Sequence, residues 1–329
     1  MSKENPDIVG IGNAIVDVLS KTDDAFLHAN EIHKGSMTLI GAERADILYS
    51  KVGATTTMSG GSAANTVVAF ASLGGHAGYI GKVAEDQLGE VFRQDIRSTH
   101  VVFDTPSLQA AEVPTSRCLI MITPDAQRTM CTFLGASVRF GPADLDEGMI
   151  KNAKATYLEG YLFDGGHAKK SFRMAAEIAH AAGKKIALTL SDPFCVERHR
   201  GDFLELIRDH VDILFGNEAE IQSLYGTDRH SEILRHCSLT VITKGAKGSM
   251  IVSKEGTVEI KATPVPQVVD TTGAGDIYAA GFLYGYTQNK PLKECGHIAS
   301  VAAAEIISQV GARPQRSLAK VLQEGKRPE

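Results

Sequence analysis

Two aspartates and a run of small residues stand at the start of an apolar stretch. The segment Asp270–Asp276 reads Asp-Thr-Thr-Gly-Ala-Gly-Asp, and the apolar residues after it predict a long helix. Free backbone N–H groups and the positive end of the helix dipole would meet at this loop and could bind an anion. Asp276 would then be a carboxylate beside a phosphate-sized site, able to take a proton from a hydroxyl that receives a phosphoryl group. Alternatively, the glycines form only a tight turn and Asp276 caps the helix.

A second glycine pair, Gly60 and Gly61, opens another predicted helix, which carries Asn65. By itself this pair is typical of a tight turn. Together with Asp270–Asp276 it indicates one site for an acceptor and one for the transferred phosphate. Asp17 is a carboxylate within apolar surroundings at the end of a strand, where it could accept hydrogen bonds from two sugar hydroxyls or simply cap the turn.

Two further segments contain residues that could bind a nucleotide or a metal. Asn217 opens a helix, and Glu220 lies three residues later on the same side of its first turn. The pair could hold water on Mg²⁺ or a phosphate, but it is also a capping-box pattern, which we favour for the pair taken alone. Thr243–Gly248 lacks the Gly-Lys-Ser/Thr ending of a P-loop and could either line a nucleotide or form a hairpin turn. Gly10–Asp17 lacks the third glycine of a dinucleotide fingerprint, which disfavours an NAD-dependent enzyme.

The composition of the chain excludes several classes of protein. Its 329 residues, 43% hydrophobic and 22% charged, are those of a soluble globular protein. A net charge of −5 gives no case for nucleic-acid binding, and no apolar run reaches the about 18–20 residues that span a membrane. The five cysteines are scattered, which indicates reduced thiols. The first residues lack a signal-peptide pattern, so we expect a cytoplasmic protein.

Apolar strands alternate with helices along the chain, which predicts a mostly parallel sheet covered by helices on both faces. The predicted strands are Asp7–Gly12, Gly78–Val83, Thr156–Glu159, Ile186–Leu190, Val211–Phe215 and Thr240–Thr243. The predicted helices are Ser62–Leu73, Asp86–Thr99, His167–Ala182 and Gly275–Val310, the last with a break near 289–291.

Two segments depart from this alternation. Ile15–Ile40 and Pro114–Ala136 have period-two patterns, and the second contains a hairpin turn at Pro124 and Asp125. We predict that they form a small antiparallel lid, which would exclude water from phosphoryl transfer. No internal repeat or linker is visible, so residues 1–329 are expected to form a single domain with a discontinuous lid from about 15–40 and 114–136.

Taken in this order, the glycine pair with Asn65, the Asn217–Glu220 pair and Asp270–Asp276 resemble the signatures of the ribokinase-like (PfkB) family of carbohydrate and nucleoside kinases. The resemblance covers essentially the whole chain. It implies a three-layer α/β/α fold and ATP-dependent transfer to a primary hydroxyl. The implied catalytic residues are Asp276 as general base and the amides of Gly273, Ala274 and Gly275 as the anion hole. The implied ATP-site residues are Asn217, Thr243, Gly245, Gly248 and Thr272, with Asn217 and Glu220 organising Mg²⁺ through water.

Within this family the chain is most similar to the adenosine kinases. Gly12–Asp17 resembles their opening strand, and Leu190–Phe194 resembles a loop in which an aromatic side chain packs on the nucleoside base. The resemblance therefore implies that Phe194 stacks on adenine. Tyr161–Phe163 is a departure, since that group carries paired phenylalanines there. The residues implied to bind the acceptor are Asn13, Asp17, Gly60, Gly61, Asn65, Arg128, Phe163 and Phe194.

The leading hypothesis is phosphorylation of the 5′ hydroxyl of a nucleoside, adenosine to AMP. The alternatives are a kinase for ribose, fructose or a sugar derivative, an inosine or guanosine kinase, and a nucleotide-binding sensor without catalysis. The implied cofactors are ATP and Mg²⁺. Family members sometimes respond to K⁺ near Asp270 and the loop around Gly311, so K⁺ is a further candidate. A monomer and a homodimer both stay open.

Overall fold

The computed structural model describes residues 5–109, 112–125, 127–226, 233–234 and 236–325. The strands of these residues form two sheets. In chain order the strands are β1 (Ile8–Ile11), β2 (Ile15–Lys21), β3 (Met37–Leu39), β4 (Thr55–Gly60), β5 (Ala77–Ile80), β6 (Ser116–Ile122), β7 (Arg128–Phe133), β8 (Ala155–Glu159), β9 (Lys185–Thr189), β10 (Ile213–Asn217), β11 (Leu239–Thr243), β12 (Ser249–Ser253) and β13 (Gly256–Ile260).

Helices lie between most of these strands. In chain order the α-helices of the described residues are α1 (Asp24–Ala29), α2 (Ala42–Lys51), α3 (Ser62–Ser72), α4 (Gln87–Ser98), α5 (Glu147–Asn152), α6 (Ala168–Ala181), α7 (Pro193–His210), α8 (Glu218–Tyr225), α9 (Ala274–Thr287), α10 (Leu292–Ile307) and α11 (Leu318–Glu324). In this part of the chain no helix is long and apolar enough to cross a membrane.

The large sheet has the order β13-β12-β11-β10-β9-β8-β1-β5 and is parallel from β5 to β11. Successive side chains of its strands point to opposite faces. Ile8 and Tyr157 pack in one apolar core with α3, α9 and α10, whereas Val9 and Leu158 pack in a second core with α6 and α7. Helices therefore cover both faces, which confirms the predicted three-layer fold and mostly parallel sheet.

The small sheet has the order β3-β7-β6-β2-β4. The predicted hairpin is confirmed as the antiparallel pair β6–β7, and β2 and β4 also run antiparallel. The pairs β2–β6 and β3–β7 run parallel, as the long connections between their strands allow. Val16 and Val18 of β2 pack with Leu27 of α1 and Leu48 of α2, so α1 and α2 cover one face of this sheet.

The structure differs from the sequence prediction in two places within the small sheet. Helix α1 interrupts the supposed strand segment Ile15–Ile40, because the Asp23 side chain caps it by accepting a hydrogen bond from the Phe26 N–H at 2.8 Å. Strand β4 lies outside both predicted segments, and its first residues are exposed threonines without apolar alternation. At the C-terminal end, the predicted break near 289–291 is confirmed, with Asn289 in the left-handed region at φ 57°.

Candidate active site

A cavity of about 680 Å³ lies between the two sheets. Glu159, Thr189, Asn217 and Thr243, each the last residue of a parallel strand, line it from the large sheet. The carboxyl ends of parallel strands meet at one edge of a sheet, which is where open α/β sheets bind ligands. Residues of β2, β3, β6 and β7 line the cavity from the small sheet.

The start of helix α9 forms one wall of this cavity. Gly273 precedes the helix in a left-handed conformation at φ 76°, and a Cβ atom there would lie 2.6 Å from the Ala312 Cβ atom. Only glycine fits both requirements without strain. The amide of Ala274 already donates to the Thr271 carbonyl at 3.1 Å, whereas no acceptor for the amides of Gly273 and Gly275 is found among the described residues. Of the three amides predicted to form an anion hole, those of Gly273 and Gly275 are therefore free to donate, whereas that of Ala274 is already engaged.

Asp276 lies in the first turn of α9 and faces the cavity. Its carboxylate accepts hydrogen bonds from the Ser62 Oγ atom at 2.6 Å and from the Asn65 Nδ2 atom at 2.9 Å. Burial raises the pKa of Asp276 to about 6, although both hydrogen bonds and the Arg313 guanidinium act to lower it. Asn65 does not line the cavity, and its side chain contacts the site through the Asp276 carboxylate. A carboxylate with this pKa is mostly ionised at pH 7 and can still accept a proton.

Asp17 also faces the cavity, in the middle of β2, with Gly60 against its carboxyl group. Burial raises the pKa of Asp17 to about 6, against the opposing effect of the Arg313 and Arg128 guanidinium groups. Gly61 caps α3 at φ 96°, where a Cβ atom would collide with the Asn13 carbonyl oxygen at 2.2 Å. Because the backbone of Gly61 lies against that of Asn13, the two residues line the cavity together with Asp17.

Glu159 is a cavity-lining residue that the sequence analysis missed. Its side chain is buried and accepts hydrogen bonds from the Asn13 Nδ2 atom and the Ala63 N–H, each at 2.8 Å. Burial raises the pKa of Glu159 to about 7. The available signal was its position, because a carboxylate that ends an apolar parallel strand must lie at the ligand-binding edge of the sheet.

Asn217 and Glu220 form the capping box that the sequence favoured for this pair. The Asn217 Oδ1 atom accepts from the Glu220 N–H at 2.9 Å, and the Glu220 carboxylate accepts from the Asn217 N–H at 2.9 Å and from the Asn217 Nδ2 atom at 2.6 Å. Both residues also line the cavity, and burial raises the pKa of Glu220 to about 7. Helix capping and a role in the cavity are therefore compatible.

Oxygen donors suited to Mg²⁺ are present at this end of the cavity. Asn217, Glu220 and Asp192 supply them, and Mg²⁺ in kinases is commonly held by one or two carboxylates together with water and phosphate oxygens. Among the described residues, no group of three or more acidic, His or Cys side chains could hold a metal ion alone. The residues therefore fit an ion that is shared with a phosphate and water.

Arg128 of β7 connects the small sheet to the loop before α9. Its guanidinium forms an ion pair with the Asp270 carboxylate at 2.9 Å and donates to the Thr272 Oγ1 atom at 2.7 Å. Asp270 also accepts from the Gly311 N–H at 2.8 Å and from the Thr272 N–H and Oγ1 atom at 3.0 and 2.7 Å. These hydrogen bonds, with the Arg128 charge, outweigh burial and lower the pKa of Asp270. Arg128 thus contacts the predicted anion-binding loop, and it does not line the cavity.

Four more predicted site residues lie outside the cavity lining, namely Gly60, Gly248, Phe163 and Phe194. Gly248 ends the turn between β11 and β12, whereas Thr243 and Gly245 of the same segment do line the cavity. Phe163 is buried against Phe172 and Phe203. Phe194 is 71% exposed at the start of α7. Contact of Phe163 or Phe194 with an acceptor therefore stays a prediction.

The small sheet and the residue that follows β7 contribute an apolar wall to the cavity, which we define as Ile15, Met37, Leu39, Met130 and Leu134. Met37 and Leu39 are 39% and 44% exposed, although both are large apolar side chains. Exposed apolar groups that border a cavity are typical of a surface that a ligand covers. The cavity therefore combines this wall with carboxylates at the large sheet.

Ligand-free protein should lose stability as the pH rises from 5 to 8. Asp17, Asp276, Glu159 and Glu220 have folded-state pKa values raised to about 6 or 7, so their protons are held more tightly in the folded state. This contribution is complete below the unfolded-state pKa values and is lost as the pH rises through the folded-state values, at up to about 1.4 kcal/mol for each unit of pKa shift. Thermal unfolding at pH 5, 6.5 and 8 measures it, and a melting temperature that rises over this range would contradict it.

Comparison with known proteins gives consistent matches over most of the chain. The pattern of the pfkB family of carbohydrate kinases matches residues 34–318. The structure of adenosine kinase from Sinorhizobium meliloti is 48% identical in sequence and has a TM-score of 0.90, with coverage of 98% of this chain and 99% of that one. A probable sugar kinase from Rhizobium etli CFN 42 is 45% identical, also with a TM-score of 0.90, and coverage is 98% of both chains. The 5-dehydro-2-deoxygluconokinase of Geobacillus thermodenitrificans (strain NG80-2) is 25% identical, over 92% of this chain and 87% of the relative.

Proposed function

The chain belongs to the pfkB family of carbohydrate kinases, and we propose that within this family it phosphorylates the 5′-type hydroxyl of a nucleoside, converting adenosine to AMP. Membership makes the protein a phosphotransferase that acts on an alcohol group and uses ATP. The proposal concerns the acceptor and the roles of the site residues. It is supported by the adenosine kinase at 48% identity and by the chemistry of the cavity.

The apolar wall is the observation that carries the nucleoside proposal. Ile15, Met37, Leu39, Met130 and Leu134 line the same cavity as Asp17 and Asp276. A free sugar is smaller and carries a hydroxyl on most of its carbons, so it would leave most of these side chains uncovered. A nucleoside has hydroxyls at one end and, at the other, a flat base whose ring faces pack on apolar side chains, so it matches a cavity with both kinds of lining.

In the proposed reaction, Asp276 takes the proton from the acceptor hydroxyl as the hydroxyl oxygen bonds to the γ-phosphorus of ATP and the bond from that phosphorus to the bridging oxygen breaks. Ser62 and Asn65 hold the Asp276 carboxylate by hydrogen bonds, which fixes its direction toward the cavity. The free amides of Gly273 and Gly275 would donate to the phosphoryl oxygens, at the positive end of the α9 dipole. Asp17, with Asn13 and Gly61, would hold the other acceptor hydroxyls.

We assign the donor to the side of the cavity lined by Thr243, Gly245 and Thr272. Asn217 and Glu220 would hold Mg²⁺ through water, beside the phosphates. A bound Mg²⁺ would neutralise part of the phosphate charge during transfer.

Equal rates in Na⁺ and K⁺ salts would remove the predicted K⁺ site near Asp270.

We further propose that the small sheet acts as a lid within a single kinase domain. Arg128 already joins it to the loop before α9, and the apolar wall would exclude water from the acceptor once a base covers it. Transfer to water would consume ATP without product, so exclusion of water serves the reaction directly.

A thermal-shift experiment tests the proposed acceptor through the apolar wall. Adenosine should raise the melting temperature of the protein, whereas ribose at the same concentration should not, because a ligand stabilises the state it binds. Leu39→Ala should weaken adenosine binding about tenfold through lost apolar contact. Ile47→Ala is the matched control, since Ile47 is 40% exposed on α2 but does not line the cavity.

The two variants separate the possible outcomes. Equal loss of adenosine binding in Leu39→Ala and Ile47→Ala would mean that the wall plays no specific part. Stabilisation by ribose and not by adenosine would replace the nucleoside with a free sugar as acceptor, while the family assignment would stand.

A further inference from the structure

Arg313 lies after α10 and interacts with Asp17 and Asp276, which line the cavity, without lining it itself. Its guanidinium donates three hydrogen bonds: from Nε to the Ser59 carbonyl at 3.0 Å, from Nη2 to the Ser59 Oγ atom at 2.8 Å and from Nη1 to the Ala64 carbonyl at 2.9 Å. Such a planar set of donors holds two backbone carbonyls at a fixed separation.

The two residues held by Arg313 are the ends of a short turn. Ser59 precedes the glycine pair, and Ala64 lies in the first turn of α3. Between and beside them, Ser62 and Asn65 donate their hydrogen bonds to the Asp276 carboxylate. Arg313 therefore fixes the segment that orients Asp276, although the two residues are far apart in sequence.

Arg313 is also a cation among carboxylates. Arginine stays protonated in proteins, and this guanidinium lowers the pKa values of both Asp17 and Asp276 against the opposing effect of burial. Arg313 also interacts with Asp95 of α4, whose carboxylate accepts from the Ser59 N–H at 2.8 Å and from the Ser59 Oγ atom at 2.5 Å. The other titratable groups that interact with Arg313 or Asp276 are Tyr79, Tyr157, Glu159, Tyr161 and Glu220.

We propose that Arg313 is the positioning residue of the Asp276 carboxylate: it clamps the Ser59–Ala64 turn that orients this carboxylate and places a positive charge near it. This role rests on the proposed function, because it presumes that Asp276 is the base. The role depends both on the hydrogen-bonding geometry of the Arg313 side chain and on its positive charge, and different substitutions can remove the two separately.

The test is the pH dependence of kcat/KM, which reports the ionisation of the base in the free enzyme. In Arg313→Gln the positive charge is lost, so the acid limb should move up by about 1 pH unit. In Arg313→Lys the charge is kept, so the limb should stay within about 0.3 units while kcat/KM falls through poorer geometry. Asp95→Asn removes a negative charge that partly neutralises Arg313. The pKa of Asp276 should therefore fall, and the acid limb should move to lower pH.

Ser59→Ala is the control for geometry. It removes the Oγ contacts with Arg313 and with Asp95 but leaves both charges in place, so the acid limb should not move. Equal losses of kcat/KM in Arg313→Gln and Arg313→Lys, with unchanged acid limbs, would reduce Arg313 to a structural residue. An unmoved limb in Asp95→Asn would also overturn the proposal, and this comparison holds even if Arg313→Gln does not fold.

The profiles are measured with whichever acceptor the wild-type protein phosphorylates. Failure of the proposed function would appear in the wild-type protein, whereas failure of this inference would appear only in the variants. Thermal unfolding of ligand-free protein gives the same comparison without turnover. The loss of melting temperature between pH 6 and 8 should be larger in Arg313→Gln and smaller in Asp95→Asn than in the wild-type protein, and unchanged losses would contradict the proposal.

Discussion

Asp276→Asn should lower kcat by about 10³-fold and leave adenosine binding within about threefold of the wild-type value. The amide has nearly the shape of the carboxylate and can accept from Asn65 through its oxygen and donate to the Ser62 hydroxyl, so both partners in the structure are kept. What it lacks is the ability to accept a proton from the acceptor hydroxyl. Turnover and binding are measured separately, by ADP release and by isothermal titration with adenosine.

Asp209→Asn provides the control, because Asp209 is an exposed residue of α7 that pairs with Arg208 away from the cavity. It should match the wild-type protein in both measurements. If Asp276→Asn kept most of its turnover, another group would have to be the base. If it lost adenosine binding as well, the carboxylate would be a ligand of the acceptor in the ground state.

Asp17→Ala should raise the KM for the acceptor about 100-fold and change kcat by less than about threefold. Two hydrogen bonds from acceptor hydroxyls to a buried carboxylate would be lost, and they are made equally in the ground state and the transition state. Steady-state rates at varied adenosine and saturating ATP–Mg²⁺ separate the two constants.

Asp17→Asn is the conservative comparison for this position. It keeps one oxygen acceptor, so its KM should lie between those of Asp17→Ala and the wild-type protein. An unchanged KM with a low kcat in Asp17→Ala would contradict a role in acceptor binding. It would indicate that Asp17 acts on the transition state through its interaction with Asp276.

The large sheet could be predicted because its parallel strands are buried on both faces. Such strands appear in the sequence as continuous apolar runs, and those at Thr156–Glu159 and Ile186–Leu190 fall within about one residue of β8 and β9. Strand β4 was missed because it is an edge strand with exposed threonines, so it has no buried face that would impose an apolar period.

Local motifs located most of the candidate site. Asp276, Gly273 and Asn217 lie at helix starts, where sequence patterns are strong, and the structure brings all three to one cavity. Contacts that depend on tertiary packing could not be predicted. The hydrogen-bond partners of Glu159 lie in the loop after β1 and in α3. Arg313 contacts a turn that lies about 250 residues earlier in the chain.

The binding face of the small sheet could not be identified from the sequence, because it carries both polar and apolar side chains. Its period-two pattern indicated one polar face, and Asp17 does lie on the face that lines the cavity. That same face also carries the apolar wall, so polarity alone could not identify it as a binding surface. The combination of apolar side chains with a carboxylate becomes informative only when the strands are placed side by side.

The central claim is that this kinase transfers phosphate to a nucleoside. The most direct measurement is the rate of ADP release from ATP–Mg²⁺ with adenosine, inosine, guanosine, ribose and fructose as acceptors. The account predicts turnover with adenosine at a kcat/KM at least about 100-fold above that with ribose, because a sugar leaves the apolar wall uncovered. Turnover with a free sugar alone would contradict the nucleoside assignment, and absence of turnover with every acceptor would contradict the choice of substrates altogether.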